Sequence, residues 1–249
     1  MLSRFITFIL FVLSFAACKK EDHVCQCNLL SSNNRGVTRE YEVEDCTVTK
    51  MYETFYHPRH GYPVYTRPLQ LSYNSNNQLV RAEDTDSYFE YIYSGNRMAQ
   101  FNINDSEEYH YSYSQGKLNR IDYYFFDMHV SYDSIITDTK GNAASIFRFT
   151  REDSLSVFTL LLEEHKTFDD NTNPLYGLPD LNANYQNFDI NNVLSITRTV
   201  HHTLGSTTPY TIVREYKYEY NSRNFPIKTD ITDYPGGETY TETYSYTCD

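Results

Sequence analysis

The chain has 249 residues, room for one large domain or two small ones, and a formal net charge of −12. An acidic surface gains nothing from counterion release on phosphates, which argues against nucleic acid as a partner. Tryptophan is absent and tyrosine occurs 25 times, a β-favouring bias in which rings bury while hydroxyls reach water.

Residues 1–17 read as a leader. Arg4 supplies a basic start, and Phe5 to Phe15 is an apolar run interrupted only by Thr7 and Ser14. A spanning helix needs about 20 apolar residues, so this shorter run is a secretory signal. Its end, Phe15-Ala16-Ala17-Cys18, resembles a bacterial lipobox with Phe15 where leucine is more usual. The resemblance implies cleavage before Cys18, diacylation of its sulfur and acylation of its new amino group. Several acyl chains, at about 0.8 kcal/mol per buried methylene, hold where one chain is marginal. Residues 18–24 form a tether, and Lys19-Lys20-Glu21-Asp22 resembles the lysine-plus-acid signal for surface export in Bacteroidetes lipoproteins. The expected location is the outer membrane, lipid-anchored, facing the cell surface or the periplasm. Residues 25–249 show no composition shift and are expected to form a single β-rich domain.

Four cysteines follow the anchor: Cys25, Cys27, Cys46 and Cys248. In an oxidising compartment they suggest two disulfides, for which three connectivities exist. Cys25 and Cys27 stand too close to favour each other, so one is expected to join Cys46 and the other Cys248. A thiolate metal site is disfavoured, because Cys25-Gln26-Cys27 lacks the usual two-residue spacing.

Along the chain, Asn28 to Gly36 reads as a polar turn and Val37 to Met51 as a first strand, with Tyr41 and Val43 alternating against Glu42 and Glu44. Pro58, Pro63 and Pro68 mark 55–68 as a loop or an edge, since proline lacks the amide donor. A repeat follows. Tyr73, Tyr93 and Tyr113 stand 20 residues apart, each ending a period-two segment and opening a small polar turn before Leu79, Met98 or Leu118. Gly95-Asn96 and Gln115-Gly116 supply residues that tolerate positive φ, as tight hairpins require. Val130 to Phe149, turning at Lys140-Gly141-Asn142, is a looser fourth copy. Ser154 to Phe168 fits a helix or a strand, and its neighbours favour strand. Asp169 to Asp189 reads as a loop with a helical turn near Leu181 to Tyr185. Strands are expected at Val193 to Val200, Thr211 to Tyr220 and Thr239 to Thr247. Tyr216, Tyr218 and Tyr220, followed by Asn221-Ser222-Arg223-Asn224-Phe225, repeat the opening motif. The fold class is all-β: an antiparallel hairpin meander curling into a barrel or half-barrel, soluble and lipid-anchored.

The Tyr-x-Tyr segments, their Asn/Gly turns and Leu118-Asn119-Arg120-Ile121 resemble the YD-type repeats of the RHS family. The stretch from Phe168 through Asn173-Pro174 to Gly177-Leu178, with Asn191-Asn192-Val193 and Tyr216 to Pro226, resembles a family of Bacteroidetes lipoproteins with a porin-like fold and a domain of unknown function. The likeness spans about Leu69 to Thr247. It implies a tall meander closing into a barrel or half-barrel and carries no catalytic residues. Phe225 departs from the glycine-tyrosine pair usual at its position, and the chain is too short to enclose a toxin as RHS shells do.

Candidate sites are few. Asp169, Asp170, Asn171 and Asn173 offer oxygens to calcium, without the 12-residue loop and its terminal bidentate glutamate; these residue types are also what turns recruit. His57 and His60 flank Pro58, which rules out a helix presenting both on one face, and His201-His202 point to opposite faces of a strand. Glu163-Glu164-His165 is not His-Glu-x-x-His, and no Gly-x-Ser-x-Gly elbow, Gly-x-Gly-x-x-Gly or phosphate loop occurs. No cofactor is implied. The leading expectation is a non-enzymatic module that binds or scaffolds a glycan, a lipid or a partner protein. The alternative is a glycan-active hydrolase with paired carboxylates, Glu107-Glu108 or Glu163-Glu164 among them, in a tyrosine-lined cleft. An integral barrel is disfavoured by Lys217 and Glu219 at outward positions, because lipid-facing charge is costly.

Overall fold

The computed structural model describes residues 29–34, 37–44, 47–56, 63–151, 156–176, 189–201 and 208–246. All five cysteines, His57, His60, His202 and the helical turn expected near Leu181 lie outside them. Among the described residues there are sixteen strands: β1 Leu29–Asn34, β2 Val37–Glu44, β3 Thr47–Tyr56, β4 Pro63–Tyr73, β5 Leu79–Glu83, β6 Tyr88–Ser94, β7 Arg97–Ile103 and β8 Glu107–Ser114. They continue as β9 Lys117–Phe125, β10 Met128–Thr137, β11 Ala143–Thr150, β12 Thr159–Thr172, β13 Asn191–Val200, β14 Tyr210–Tyr220, β15 Pro226–Tyr234 and β16 Glu238–Tyr246. Each pairs antiparallel with its neighbours in sequence, and β16 pairs β1 with Leu29 opposite Tyr246, closing a barrel. The choice between barrel and half-barrel is thus resolved by one long-range pairing.

The hairpins form for reasons written in the repeat. Tyr91, Phe101, Tyr109 and Tyr123 lie directly opposite one another on β6, β7, β8 and β9, with successive ring centroids 4.9, 5.7 and 4.9 Å apart. Such cross-strand aromatic pairs set register as well as burying area. The tyrosines that end the even strands do a second job. Tyr73 Oη donates to the Val48 carbonyl at 2.6 Å, Tyr113 Oη to Met98 at 2.9 Å and Tyr246 Oη to Pro226 at 2.7 Å. Each of these bonds ties an even strand back to the odd strand before it. Burial pushes the Tyr73 phenol up to about 12.

One turn design recurs. Asn74, Asp138 and Asn221 each accept, on Oδ1, backbone N–H groups of the following four residues, at 2.7 to 3.1 Å. In each the third residue after the accepting side chain takes positive φ: Asn77 at 58°, Gly141 at 104° and Asn224 at 63°. The late copy at Tyr220 is thus the same turn as the opening one.

Four expectations need correction. Val37 to Met51 is not one strand but runs through β2 into β3, which pair antiparallel with Tyr41 opposite Met51. Residues 29–34 form a strand, not a turn, because β16 and β2 flank them. Residues 63–68 are strand: Pro68 faces Tyr52 on β3, beyond the last pair between β4 and β5 at Gln70 and Glu83, where its missing N–H breaks no ladder on that side. Residues 169–172 extend β12 instead of starting a loop.

Burial assigns the two faces. Leu69, Leu71, Phe89, Tyr91, Phe101, Ile121, Ile146 and Ile231 are buried and point inward. Their neighbours point outward and are mostly polar, Glu40, Glu90, Asn102, Lys217, Glu219, Lys228 and Asp230 among them, with Ile92, Ile136 and Leu194 exposed between them. Facing hydroxyls pair across the outer wall, as in Thr54–Thr66 at 3.0 Å, Thr167–Ser195 at 2.7 Å and Thr232–Thr239 at 3.0 Å. A lysine or arginine on a lipid-facing wall costs about 2–4 kcal/mol at the bilayer midplane, so each of these cations would be costly against lipid.

The two ends differ. Even-numbered strands run toward one end, where the turns at 74–78, 138–142 and 221–225 lie, with Leu29 and Tyr246. Its interior is packed by Leu29, Val48, Leu71, Leu79, Leu118 and Tyr246, with Tyr73, Tyr93, Tyr113, Leu175 and Phe225 against them. Among the described residues the other end is open, and its rim carries exposed Val64, Tyr65, Phe125, Phe126, Met128, Val157, Tyr210 and Tyr234. The interior is therefore neither a hollow apolar lumen nor uniformly filled.

Candidate functional site

Between the packed end and the rim, the inward positions turn ionic. Glu53 sits opposite Arg39 on one side and Arg67 on the other, accepting from Arg39 Nε at 2.8 Å and from Arg67 Nη2 at 2.6 Å. Arg148 engages the buried Asp133 with both edges of a fork at 2.8 Å. Glu164 takes Arg198 Nη2 at 2.5 Å and lies 3.8 Å from Lys166 Nζ, whose closer partner is Asp189 at 2.9 Å. Arg214 forks onto Asp233 at 2.6 and 2.9 Å. Strand alternation places the strand residues among these on the inner face; each arginine meets an acid on a neighbouring strand, while Lys166 meets Glu164 of its own strand and Asp189 just before β13.

Burial leaves its mark on the acids. Desolvation outweighs the Arg148 pairing at Asp133 and the Lys166 pairing at Asp189, holding both carboxyls above the usual range. Glu242, on the inner face of β16 and bonded by Tyr244 Oη at 2.7 Å, is raised in the same way. Beside it runs a tyrosine ladder, Tyr216, Tyr218 and Tyr220, with centroids 6.4 and 5.7 Å apart.

At the open end this lining forms a cleft of about 250 Å³ bounded by Ile196 and Arg198 of β13, Ile212 and Arg214 of β14, Asp233 and Tyr234 of β15, and Pro235-Gly236 of the following turn. Ile196 and Ile212 give it apolar walls. Arg198 and Arg214 keep 44% and 35% of their side-chain surface exposed while bonded to their acids, so each presents donors to the cleft as well.

The sequence-stated candidates fall elsewhere or come apart. Asp169 accepts from Asn171 N at 2.9 Å, Asn192 Nδ2 at 3.2 Å and Tyr220 Oη, and so pins β12, β13 and β14 together at the packed end. Asp170 is exposed and pairs with Lys140; Asn171 Nδ2 reaches Asp169 at 3.3 Å; Asn173 caps its turn through the Leu175 amide at 3.0 Å. Among the described residues no three histidines, cysteines or acids converge in a way that could hold a metal ion. The adjacent glutamates are split across the wall. Glu107 faces inward to Tyr109 and Tyr123, while Glu108 faces out to His110 at 2.8 Å. Glu164 faces in, while Glu163 faces out to His165 at 2.8 Å and His201 at 3.4 Å. Lys217 and Glu219 point outward, as expected.

Sequence reasoning missed the ionic lining. The signal was present as charged residues in phase with buried ones, such as Arg39 with Tyr41 and Glu53 with Met51.

No known protein family and no curated protein matches the chain. Among solved structures it is similar to a porin-like protein from Bacteroides uniformis ATCC 8492, with a TM-score of 0.55 at 13% identity over 84% of this chain and 90% of that one. It is a likeness of fold. A porin-like protein from Bacteroides vulgatus ATCC 8482 gives a TM-score of 0.33 at 9% identity over 88% and 85%. The TcdB2-TccC3 structure gives 0.32 at 12% identity, over 82% of this chain and 12% of that one.

Proposed function

We propose that this is an envelope protein anchored at the outer membrane by lipid on Cys18, whose barrel is a non-enzymatic binding module taking its ligand at the open end. The observation that carries the reading is the polarity of the barrel along its axis. One end is packed with side chains and holds Leu29, the first described residue; the other is open, apolar-rimmed and lined with charge. Cys18 lies 11 residues upstream of Leu29, a tether that reaches at most about 40 Å. That arrangement favours a packed end turned toward the membrane and a mouth turned away from it. The polar outer wall supports a barrel that stands on the membrane and does not cross it.

The same end collects the chain neighbours of the cysteines. Cys27 precedes Leu29 by two residues, Cys248 follows its partner Tyr246 by two, and Cys46 falls between β2 and β3. This supports bridges from Cys25 and Cys27 to Cys46 and Cys248, stapling the seam where β16 meets β1. The charged lining favours a polar ligand over a lipid. The inward carboxylates already engage cations or tyrosines, which favours binding over acid–base chemistry.

Cell fractionation of the Cys18→Ser chain is the test. The native chain should sediment with membranes and the variant should be released as a soluble protein. Retention of Cys18→Ser in the membrane fraction would reject the anchor.

A further inference from the structure

The cleft between β13, β14 and β15 has the makings of a specific site, and its chemistry is narrow. Its lining carries two arginines against one acid, Asp233, within a chain of net charge −12. Arg198 spends Nε and Nη2 on Glu164, and Arg214 spends the same two nitrogens on Asp233. A guanidinium has five N–H donors in a rigid fork; side-on engagement of Nε and Nη2 turns the Nη1 edge away from the carboxylate. The carboxylates thus serve as positioning groups that hold both forks still. Arg198 faces Ile212 and Arg214 faces Ile196 across the strand pair, so the two cations sit on a diagonal with apolar side chains between them. Tyr234, 42% exposed, and Pro235 supply a ring-sized apolar lip.

Size narrows the choice further. Ligand pockets of drug-sized molecules run from about 300 to 1,000 Å³, and this cleft holds about 250 Å³. One sugar ring fits that scale. A ligand here needs a carboxylate for the arginines, a flat C–H face for Tyr234 and Pro235, and hydroxyls that can donate to Asp233.

We infer that the cleft is a binding site for a uronic acid, taken as a single ring or as the end of an acidic glycan, with its carboxylate on Arg198 and Arg214. This assignment rests on the reading of the barrel as a binding module and deepens it.

The absence of tryptophan makes the test direct. Tyr234→Trp places a single reporter at the lip of the cleft in the full processed chain, held in detergent. Glucuronate should shift its emission saturably, and neither glucose, which lacks the carboxylate, nor succinate, which lacks the ring, should match it. Arg198→Gln in the same background should weaken glucuronate by about tenfold or more, the loss of a charge-assisted fork, with Arg198→Lys falling between. Ile212→Phe fills the cleft, leaves every ion pair in place and should abolish the response; it serves alone if Arg198→Gln does not melt cooperatively. A glucuronate tetramer that binds where the monosaccharide does not would move the assignment to the glycan end. No saturable response to either, equal binding of glucose or succinate, or unchanged affinity in Ile212→Phe would overturn it. Membrane release of Cys18→Ser is read separately, so a failed site leaves the anchored-barrel reading standing, and a failed anchor leaves the cleft to be judged on its titration.

Discussion

The wall from β4 to β11 and the wall from β12 to β16 share a hairpin plan and differ in what they point inward. The first fills most of its inner face with Leu69, Phe89, Phe101, Ile121 and Ile146 and sets Arg67 and the Asp133–Arg148 pair among them. The second points Glu164, Lys166, Arg198, Arg214, Asp233 and a tyrosine ladder at the same interior. The hydrogen-bonded ladder holds both, so the inner side chains are free to specialise. One wall supplies apolar burial. The other gives up some of that burial and gains a lined cleft.

Substitutions can break this contrast, beginning where burial is deepest. Phe101 is 1% exposed and lies among Phe89, Tyr91 and Tyr109. Phe101→Ala should cost about 3–5 kcal/mol, read as a shift in denaturant midpoint. In the second wall the equivalent weak point is a charge. Lys166→Met leaves Asp189 buried without its cation and should cost about 3 kcal/mol. Adding Asp189→Asn should return part of that loss, because removing both charges is far cheaper than removing one. A double variant no more stable than Lys166→Met would show that the pair is not what holds β12 to the 189–191 segment.

A smaller change asks whether the hairpin unit is common to both walls. Asn74→Ala and Asn221→Ala each remove the side-chain acceptor of the same turn and should each cost about 1 kcal/mol. Unequal losses would mean that the interior, not the turn, sets hairpin stability. The opposite sign is expected at the rim. Phe126 and Asp127 form a two-residue turn with φ of 45° and 61°, a conformation that suits Asn and Gly and costs a bulky residue about 1–2 kcal/mol. Phe126→Asn should raise stability by up to about 1 kcal/mol in thermal melts. An exposed phenylalanine kept in a strained turn at the open end points to a use for that rim other than folding.

How much of this could be read beforehand follows from range. Strand alternation and the Asx turns are local, so Tyr73, Tyr93 and Tyr113 disclosed the repeat and Asn221 disclosed its late copy. Leu29 to Asn34 looked like a turn because its residues are polar; it is a strand because Tyr246, more than two hundred residues away, lies beside it. No local pattern contains that pairing. Pro63 and Pro68 misled for a related reason, since the shortness of β5, not the prolines themselves, decides whether an N–H is missed there. The cleft was hidden more deeply. Arg198, Arg214 and Asp233 look like ordinary surface charges until the barrel closes and fixes which parity faces in.

One electrostatic feature is common to both walls, shown by Asp133 in the first and Glu242 in the second. Glu242 faces Tyr244, with Tyr218 nearby and Arg214 and Arg39 close enough to lower its pKa in part, yet burial dominates and holds its carboxyl above the usual range. A carboxyl raised in the folded state binds its proton more tightly there than in the unfolded chain. Its contribution to stability is therefore fully present below the unfolded carboxylate value of about 4.3 and is lost as pH rises through the folded one. Glu242→Gln removes the charge and keeps an acceptor for Tyr244 Oη. The variant should melt above the native chain at neutral pH, and the two curves should converge as the solution is acidified to the carboxylate range. If the variant melts lower at neutral pH, the attraction of Arg214 and Arg39 outweighs desolvation, and the second wall holds its acids by pairing alone.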